Sequence, residues 1–204
     1  MHTSTAPHYQ HLSKDPALLP LLETVVLRVV KEHKNVCVRL CASIMSQQLS
    51  TKVADVIFKR FLLLFEGAEP SPAQIAAMPH ETLRAIGLSN AKVRYVQHVA
   101  NYFMEHGIKD ETFEHLTDAA VIALLTPIKG VGQWTVEMLL MFTLGRPDVF
   151  AVDDLGIQQG MIKIYGLDAT DKKALKAKML EISAKWAPFR TFACLYIWGQ
   201  KDQK

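Results

Sequence analysis

The sequence predicts an all-α fold of about ten short helices, arranged in two lobes with a cleft between them. Three observations predict it. Half of the 204 residues are hydrophobic, and after Leu18 they recur at steps of three and four, the spacing of an amphipathic helix. Glycine numbers only ten and β-branched runs are sparse, which argues against an all-β sandwich or barrel. No stretch alternates as a strand does, no tract is of low complexity, and no period of roughly 34 residues marks a solenoid.

The elements follow in order. Residues 1–16 are polar, with Pro7 and Pro16, and 1–17 read as an N-terminal arm lying on the body. Leu21, Leu22, Val25, Val26, Val29 and Val30 predict one amphipathic helix starting near Leu18. Residues 36–65 are apolar except for Ser46-Gln47-Gln48-Leu49-Ser50-Thr51, which predicts a helix, a short turn and a second helix capped by Ser50 or Thr51. The loop 66–72 ends that helix. Ser71-Pro72 then supplies an N-cap and a first helical residue for two short helices over 72–85. Gly87-Leu88-Ser89 breaks the chain, and Ser89 can cap a helix over 90–105 that ends at Gly107. Asp110 and Thr117 begin two more short helices. Residues 127–132 are a turn, and an apolar helix over 133–144 stops at Gly145-Arg146-Pro147. Helices at about 154–164, 171–184 and 189–200 complete the chain, with Thr170-Asp171 capping the second and Pro188 separating it from the third. The domain thus spans 18–204, one lobe built from about 18–35 plus 145–204 and the other from about 36–144. A cleft between two helical lobes is a natural place for a site.

Composition bounds the function. Lys and Arg exceed Asp and Glu by 23 to 20, a net charge of +3, too small to identify a polyanion partner by itself. Cys37, Cys41 and Cys194 are odd in number and scattered, so they describe no disulfide framework. No Cys-x2-Cys pair exists to build a zinc ribbon or an iron–sulfur cluster, and the eight histidines lack metal spacing. The first residues hold no apolar signal core, and no run of ~18 apolar residues follows. The expectation is a soluble cytoplasmic chain with no membrane association.

The chemistry concentrates in Thr126-Pro127-Ile128-Lys129-Gly130-Val131-Gly132-Gln133-Trp134-Thr135. A helix, a Gly-hydrophobic-Gly turn and a second helix can hold a phosphate. Glycines allow close approach, and the second helix begins with outward N–H groups that suit a phosphate oxygen. Alone, the segment reads equally as an ordinary helix-turn-helix corner. Downstream, 22 residues after Gly132, Asp153 and Asp154 stand together at a helix start. One could cap that helix and the other complement its dipole.

With these two features the sequence resembles the helix-hairpin-helix DNA glycosylase superfamily, and within it the 3-methyladenine DNA glycosylase II branch. Four segments carry the resemblance: 44–51 around Gln47-Gln48; Gly87-Leu88-Ser89 with Lys92; the hairpin with Val152-Asp153-Asp154-Leu155-Gly156; and Trp186, Pro188, Phe189, Arg190, Thr191, Ala193, Tyr196 and Trp198. The resemblance implies a two-lobed helix-hairpin-helix glycosylase fold. It also implies hydrolysis of the bond joining a damaged base to deoxyribose in duplex DNA. Asp154 falls on the catalytic aspartate, whose carboxylate stabilises the oxocarbenium-like sugar and directs water. Asp153 is then a capping or supporting residue. Two after Gly132, where bifunctional relatives such as endonuclease III place a nucleophilic lysine, stands Trp134. Lys129 precedes the first glycine, where it can touch a phosphate and not the sugar. The implied enzyme is monofunctional, with no lyase activity, and leaves an abasic site.

Trp134 and Trp198 fall on base-pocket positions. An electron-rich indole face favours the cationic bases 3-methyladenine and 7-methylguanine, although an isolated Trp at helical spacing is more readily core. Gln48 matches the residue that fills the gap left by the flipped nucleotide, Gln47 could touch the opposite strand, and either could be a plain turn residue. DNA contacts are further expected from Ser89, Lys92, Lys129, Gly130, Val131, Gly132, Gln133 and Thr135, with plain capping as the alternative for Ser89. The family implies a monovalent cation, Na+ or K+, on the carbonyls of Thr126, Ile128 and Val131, and no required cofactor. Lys172, Lys173, Lys176 and Lys178 form the densest basic run, a solvated face or a DNA contact. The expected partner is damaged duplex DNA, bound by a monomer. The rival readings are a non-catalytic hairpin protein that binds DNA structures, and a glycosylase for another lesion such as hypoxanthine or ethenoadenine.

Overall fold

A computed structural model describes residues 5–27 and 35–200. The helices are α1 Pro7–Leu12, α2 Leu19–Thr24, α3 Val36–Ser46, α4 Thr51–Leu63, α5 Pro72–Ala77, α6 His80–Ala85, α7 Asn90–Glu105, α8 Asp118–Leu125, α9 Gln133–Phe142, α10 Leu155–Tyr165, α11 Lys172–Ala184 and α12 Arg190–Gly199. A single 3-10 turn, Asp110–Phe113, lies between α7 and α8. Among the described residues there is no strand, and no helix is long and apolar enough to cross a membrane.

Local chemistry sets most helix starts. Ser50, Ser71, Ser89, Thr117, Asp154 and Asp171 each stand just before a helix and accept an N–H from its first turn, which satisfies a donor the helix leaves orphaned. Ser71 and Gln74 close a reciprocal capping box. For α4 and α11 the sequence left two caps open; Ser50 and Asp171 serve. α3 adds a longer route to its local cap, in which the Asn35 side chain accepts the Val38 N–H at 3.2 Å. Asp110 accepts the N–H groups of Asn35 and Val36 at 2.6 and 2.9 Å.

The chain divides into two compact units, residues 32–144 and residues 1–31 with 145–204. In the central unit α3, α5, α7 and α9 pack on one another. Their cores are Leu40, Ile44, Ile75, Val93, Val96, Val99, Val136 and Leu140, all fully buried. Each such side chain stabilises the unit by about 1.5–3 kcal/mol.

In the unit made of both chain ends, α10 packs on α12. Buried Trp186 meets Phe150 edge-on at 5.7 Å, and its indole N–H donates to Asp15 at 3.0 Å beside the Tyr165 hydroxyl at 2.8 Å. Within the expected arm, Pro7–Leu12 is a helix. His8 stacks on Phe192 at 4.1 Å, and His11 Nε2 donates to the Lys185 carbonyl at 3.0 Å. The helix expected to run on from Leu18 ends at Thr24. Val25 turns extended and is buried, while Val26 is 62% exposed; Val29 and Val30 lie outside the described residues. Val25 fills the space beside Gly199, where a Cβ would lie 2.4 Å from its Cγ1. That packing wins over helical periodicity, helped by the preference of valine for extended backbone.

Candidate functional site

The central unit carries the hairpin. α8 ends at Thr126, and the chain turns through Ile128 N–H to the Leu125 carbonyl (3.1 Å) and Val131 N–H to the Ile128 carbonyl (3.0 Å). Gly130 has φ +98°, and a Cβ there would sit 2.4 Å from Tyr95 Cγ. Both the backbone and the space forbid a side chain. Gly132 differs. Its φ is −95°, and a Cβ would meet nothing within 4 Å. It is the N-cap of α9 and supplies no capping side chain.

Around this turn Lys129 and Gln133 are exposed and Val131 is buried. Gln133 donates to Glu137 at 2.9 Å. Trp134 is 38% exposed on the first turn of α9. The Thr135 side chain is buried, so any contact it makes with a ligand must come from its backbone. The carbonyls of Thr126, Ile128 and Val131 are hard oxygen donors of the kind that suit Na+ or K+. That of Ile128 already accepts one hydrogen bond and has a second lone pair.

The α3–α4 turn lies in the same unit. Gln47 ends α3, and exposed Gln48 has the left-handed φ of 60°. Gln47 Nε2 donates to the Gly130 carbonyl at 3.4 Å. Lys92 Nζ donates to the carbonyls of Met45 and Gln47 at 2.9 and 2.7 Å. Ser89 caps α7 by accepting the Lys92 N–H at 3.3 Å. The structure therefore gathers Gln47, Ser89, Lys92 and Gly130, and it commits the Lys92 ammonium to protein carbonyls.

The other unit carries the acid pair, and the two acids have different surroundings. Asp154 is the N-cap of α10. Its Oδ1 accepts the Ile157 N–H at 2.8 Å and the Trp198 indole N–H at 2.9 Å. Two donors thus orient the carboxylate at a helix N-terminus, where negative charge is stabilised. Asp153 points to α11, and both its oxygens accept from Lys176 Nζ, at 2.8 and 2.7 Å. The basic run on α11 is split by this pair and by Lys178, which donates to Glu181.

Helix packing brings Trp198 to Asp154. On α10, Gly156 and Gly160 share one face. A Cβ at 160 would lie 2.3 Å from Ile197 Cγ2, and one at 156 would lie 3.0 Å from Asp154 Oδ1 and 3.1 Å from the Trp198 ring. The segment before Asp154 is anchored to α12 as well. Asp148 accepts from Arg190 Nε and Nη2 at 2.7 and 2.8 Å and from the Arg190 backbone N–H at 3.2 Å. Burial works to raise the Asp148 pKa, but the Arg190 hydrogen bonds and charge outweigh it and hold the carboxyl below the usual range.

Sequence reading thus placed Trp198 in a base pocket and missed its bond to Asp154; it named Gly156 only within the family motif and Lys176 only within the basic run, and it did not single out Tyr95. Beside its place in that motif, Gly156 had a local signal: a glycine inside the first turn of a helix, where it has no local advantage.

Residues 41–185 match the HhH-GPD superfamily of base excision DNA repair proteins. DNA-3-methyladenine glycosylase 1 of Schizosaccharomyces pombe is 38% identical over 169 residues, covering 82% of this chain and 73% of that protein. The DNA-3-methyladenine glycosylase of Saccharomyces cerevisiae is 34% identical over 192 residues, and the match spans 83% of this chain but only 61% of the yeast protein. The solved S. pombe 3-methyladenine DNA glycosylase in complex with abasic DNA superposes with a TM-score of 0.86 at 34% identity, over 97% of both chains.

Proposed function

Because the chain belongs to the HhH-GPD superfamily of base excision DNA repair proteins, we propose that it is a monofunctional DNA glycosylase acting on alkylated purines. The observation that carries this reading is Asp154, a carboxylate at the start of α10 with one oxygen held by both Ile157 N–H and Trp198 N–H. Capping α10 needs only the Ile157 bond; the second donor, Trp198, fixes the direction of the carboxylate, which serves chemistry.

The reaction follows from the groups named. The damaged nucleotide leaves the duplex stack, because its glycosidic bond is out of reach inside it. The open first turn of α9, with Gly132 at its head and Lys129 beside it, receives a backbone phosphate, and Gln48 enters the gap. The C1′–N bond breaks with its electron pair going to the base. For 3-methyladenine or 7-methylguanine this neutralises a cation, so no general acid is needed. Asp154 stabilises the positive sugar and takes the proton of the water whose oxygen bonds to C1′. The indole of Trp134 offers the cationic base a π face.

Position 134 holds no amine, so no Schiff base forms and the strand stays intact. A monovalent cation on the Thr126, Ile128 and Val131 carbonyls would add positive charge beside the bound phosphate, and the chemistry needs no other cofactor. The partner is duplex DNA carrying the lesion, bound by one copy of the chain.

Methylated duplex DNA tests this. Free 3-methyladenine or 7-methylguanine is expected, with nicking only after alkali or heat. A folded, DNA-binding protein that releases neither base overturns the reading, and a borohydride-trapped adduct overturns its monofunctional part.

A further inference from the structure

Lys92 stands where the sequence suggested a phosphate ligand, but its ammonium is turned inward. Met45 and Gln47, whose carbonyls it binds, lie at the last turn of α3. There the carbonyls are orphaned and carry partial negative charge. Of the three N–H donors of an ammonium, two are committed to this turn. Burial lowers the Lys92 pKa, as expected for a cation drawn away from water. The residue that follows is Gln48, whose left-handed backbone is unfavourable for a residue other than glycine and persists only when neighbours over-determine it. Lys92 is such a neighbour. The others are the hydrogen bonds of the turn itself, Gln47 N–H to Ile44 and Leu49 N–H to Ser46.

Three residues along α7, Tyr95 lies on the same face. Its ring fills the place of a side chain at Gly130, while Gln47 Nε2 reaches the Gly130 carbonyl. One face of α7 therefore supports both the α3–α4 turn and the hairpin.

We propose that Lys92 is a positioning residue for nucleotide extrusion: with Tyr95 it sets the register between the turn that presents Gln48 and the hairpin that holds the phosphate. The proposal rests on the glycosylase reading above. Its physical basis is the fixed spacing of DNA. A phosphate grip and a gap-filling side chain act together only if their separation matches the duplex, and a misplacement near 1 Å can lower the rate about a hundredfold.

The test uses the full chain and three variants: Lys92→Met, Lys92→Arg and Gln48→Ala. Affinity for a duplex with an abasic-site analogue is followed against salt. Extrusion is read from 2-aminopurine placed beside a lesion, and base release in single turnover at saturating methylated DNA. Lys92→Met is expected to keep the salt slope while extrusion and release fall by about tenfold to a hundredfold, with Lys92→Arg recovering part of the loss. A slope smaller by about 0.9, the signature of one lost phosphate contact, with release unchanged overturns the proposal. If Lys92→Met does not fold, lysine-selective labelling of the wild-type chain decides. Lys92 labels slowly with and without DNA if it is bound to the turn. Fast labelling that DNA suppresses makes it a phosphate ligand. Full extrusion by Gln48→Ala also overturns the proposal, since the turn would then present nothing. A wild-type protein that releases no base while Lys92 stays slow to label refutes the glycosylase reading instead.

Discussion

The starts of α9 and α10, one in each unit, meet the same demand and answer it oppositely. Both present orphaned N–H groups and partial positive charge. At α10, Asp154 supplies the negative group from the chain itself and is pinned by doing so. At α9, Gly132 supplies nothing and leaves open space where its side chain would be. The start of α12 is intermediate, since Asp148 arrives from 42 residues away to take the Arg190 N–H. Who provides the anion decides what a helix start does. Asp154 is an oriented acid and Asp148 a structural clamp, while the start of α9 has room for an outside anion.

Substitutions that exchange these roles test the contrast, and the largest effect is expected at α10. Asp154→Asn keeps a capping oxygen, so folding and DNA affinity should persist. Single-turnover base release should fall on the order of 10²–10⁴-fold, the range for a lost catalytic acid or base. Asp153→Asn should do far less, because Lys176 already occupies that carboxylate. Equal losses from the two variants would erase the distinction between the acids.

Next comes Gly132→Asp, which gives α9 the closure that α10 has. Thermal stability should move by only a few tenths of a kcal/mol. DNA affinity should drop about a hundredfold as a carboxylate meets phosphate, and an unchanged dissociation constant would mean that this start receives no anion. The two hairpin glycines should also separate. Gly130→Ala, at φ +98° and against Tyr95, should lower stability by about 1–3 kcal/mol in denaturant titrations, with Gly132→Ala near neutral.

The smallest effect concerns α12. With its folded pKa lowered, Asp148 contributes stability above its unfolded pKa of about 3.9, and that contribution is lost as pH falls through the folded value. Asp148→Asn should therefore be less stable at neutral pH and show a shallower acid loss in denaturation across pH.

Much of this was legible from local chemistry. Ser71, Ser89 and Thr117 announce their helices because a cap acts within three residues, and the Gly-Val-Gly turn and the acid pair announce the site. What escaped depends on partners remote in sequence. α1 is only six residues long and exists because His8 and His11 find Phe192 and Lys185. Lys92 read as a phosphate contact because the carbonyls it binds are more than 40 residues away. The helix expected past Thr24 fails because Val25 meets Gly199. Periodicity reports which face is apolar, and it carries no record of what that face will touch.

Gly156 has a consequence for how the protein can vary. Its missing side chain is the room in which the Trp198 ring reaches Asp154. Any replacement there must push away the indole or the carboxylate. A mutational screen for lost repair should therefore return position 156 beside 154 and 198, although glycine itself performs no chemistry. The three positions form one unit of inheritance, and one of its members is legible only as a hydrogen atom.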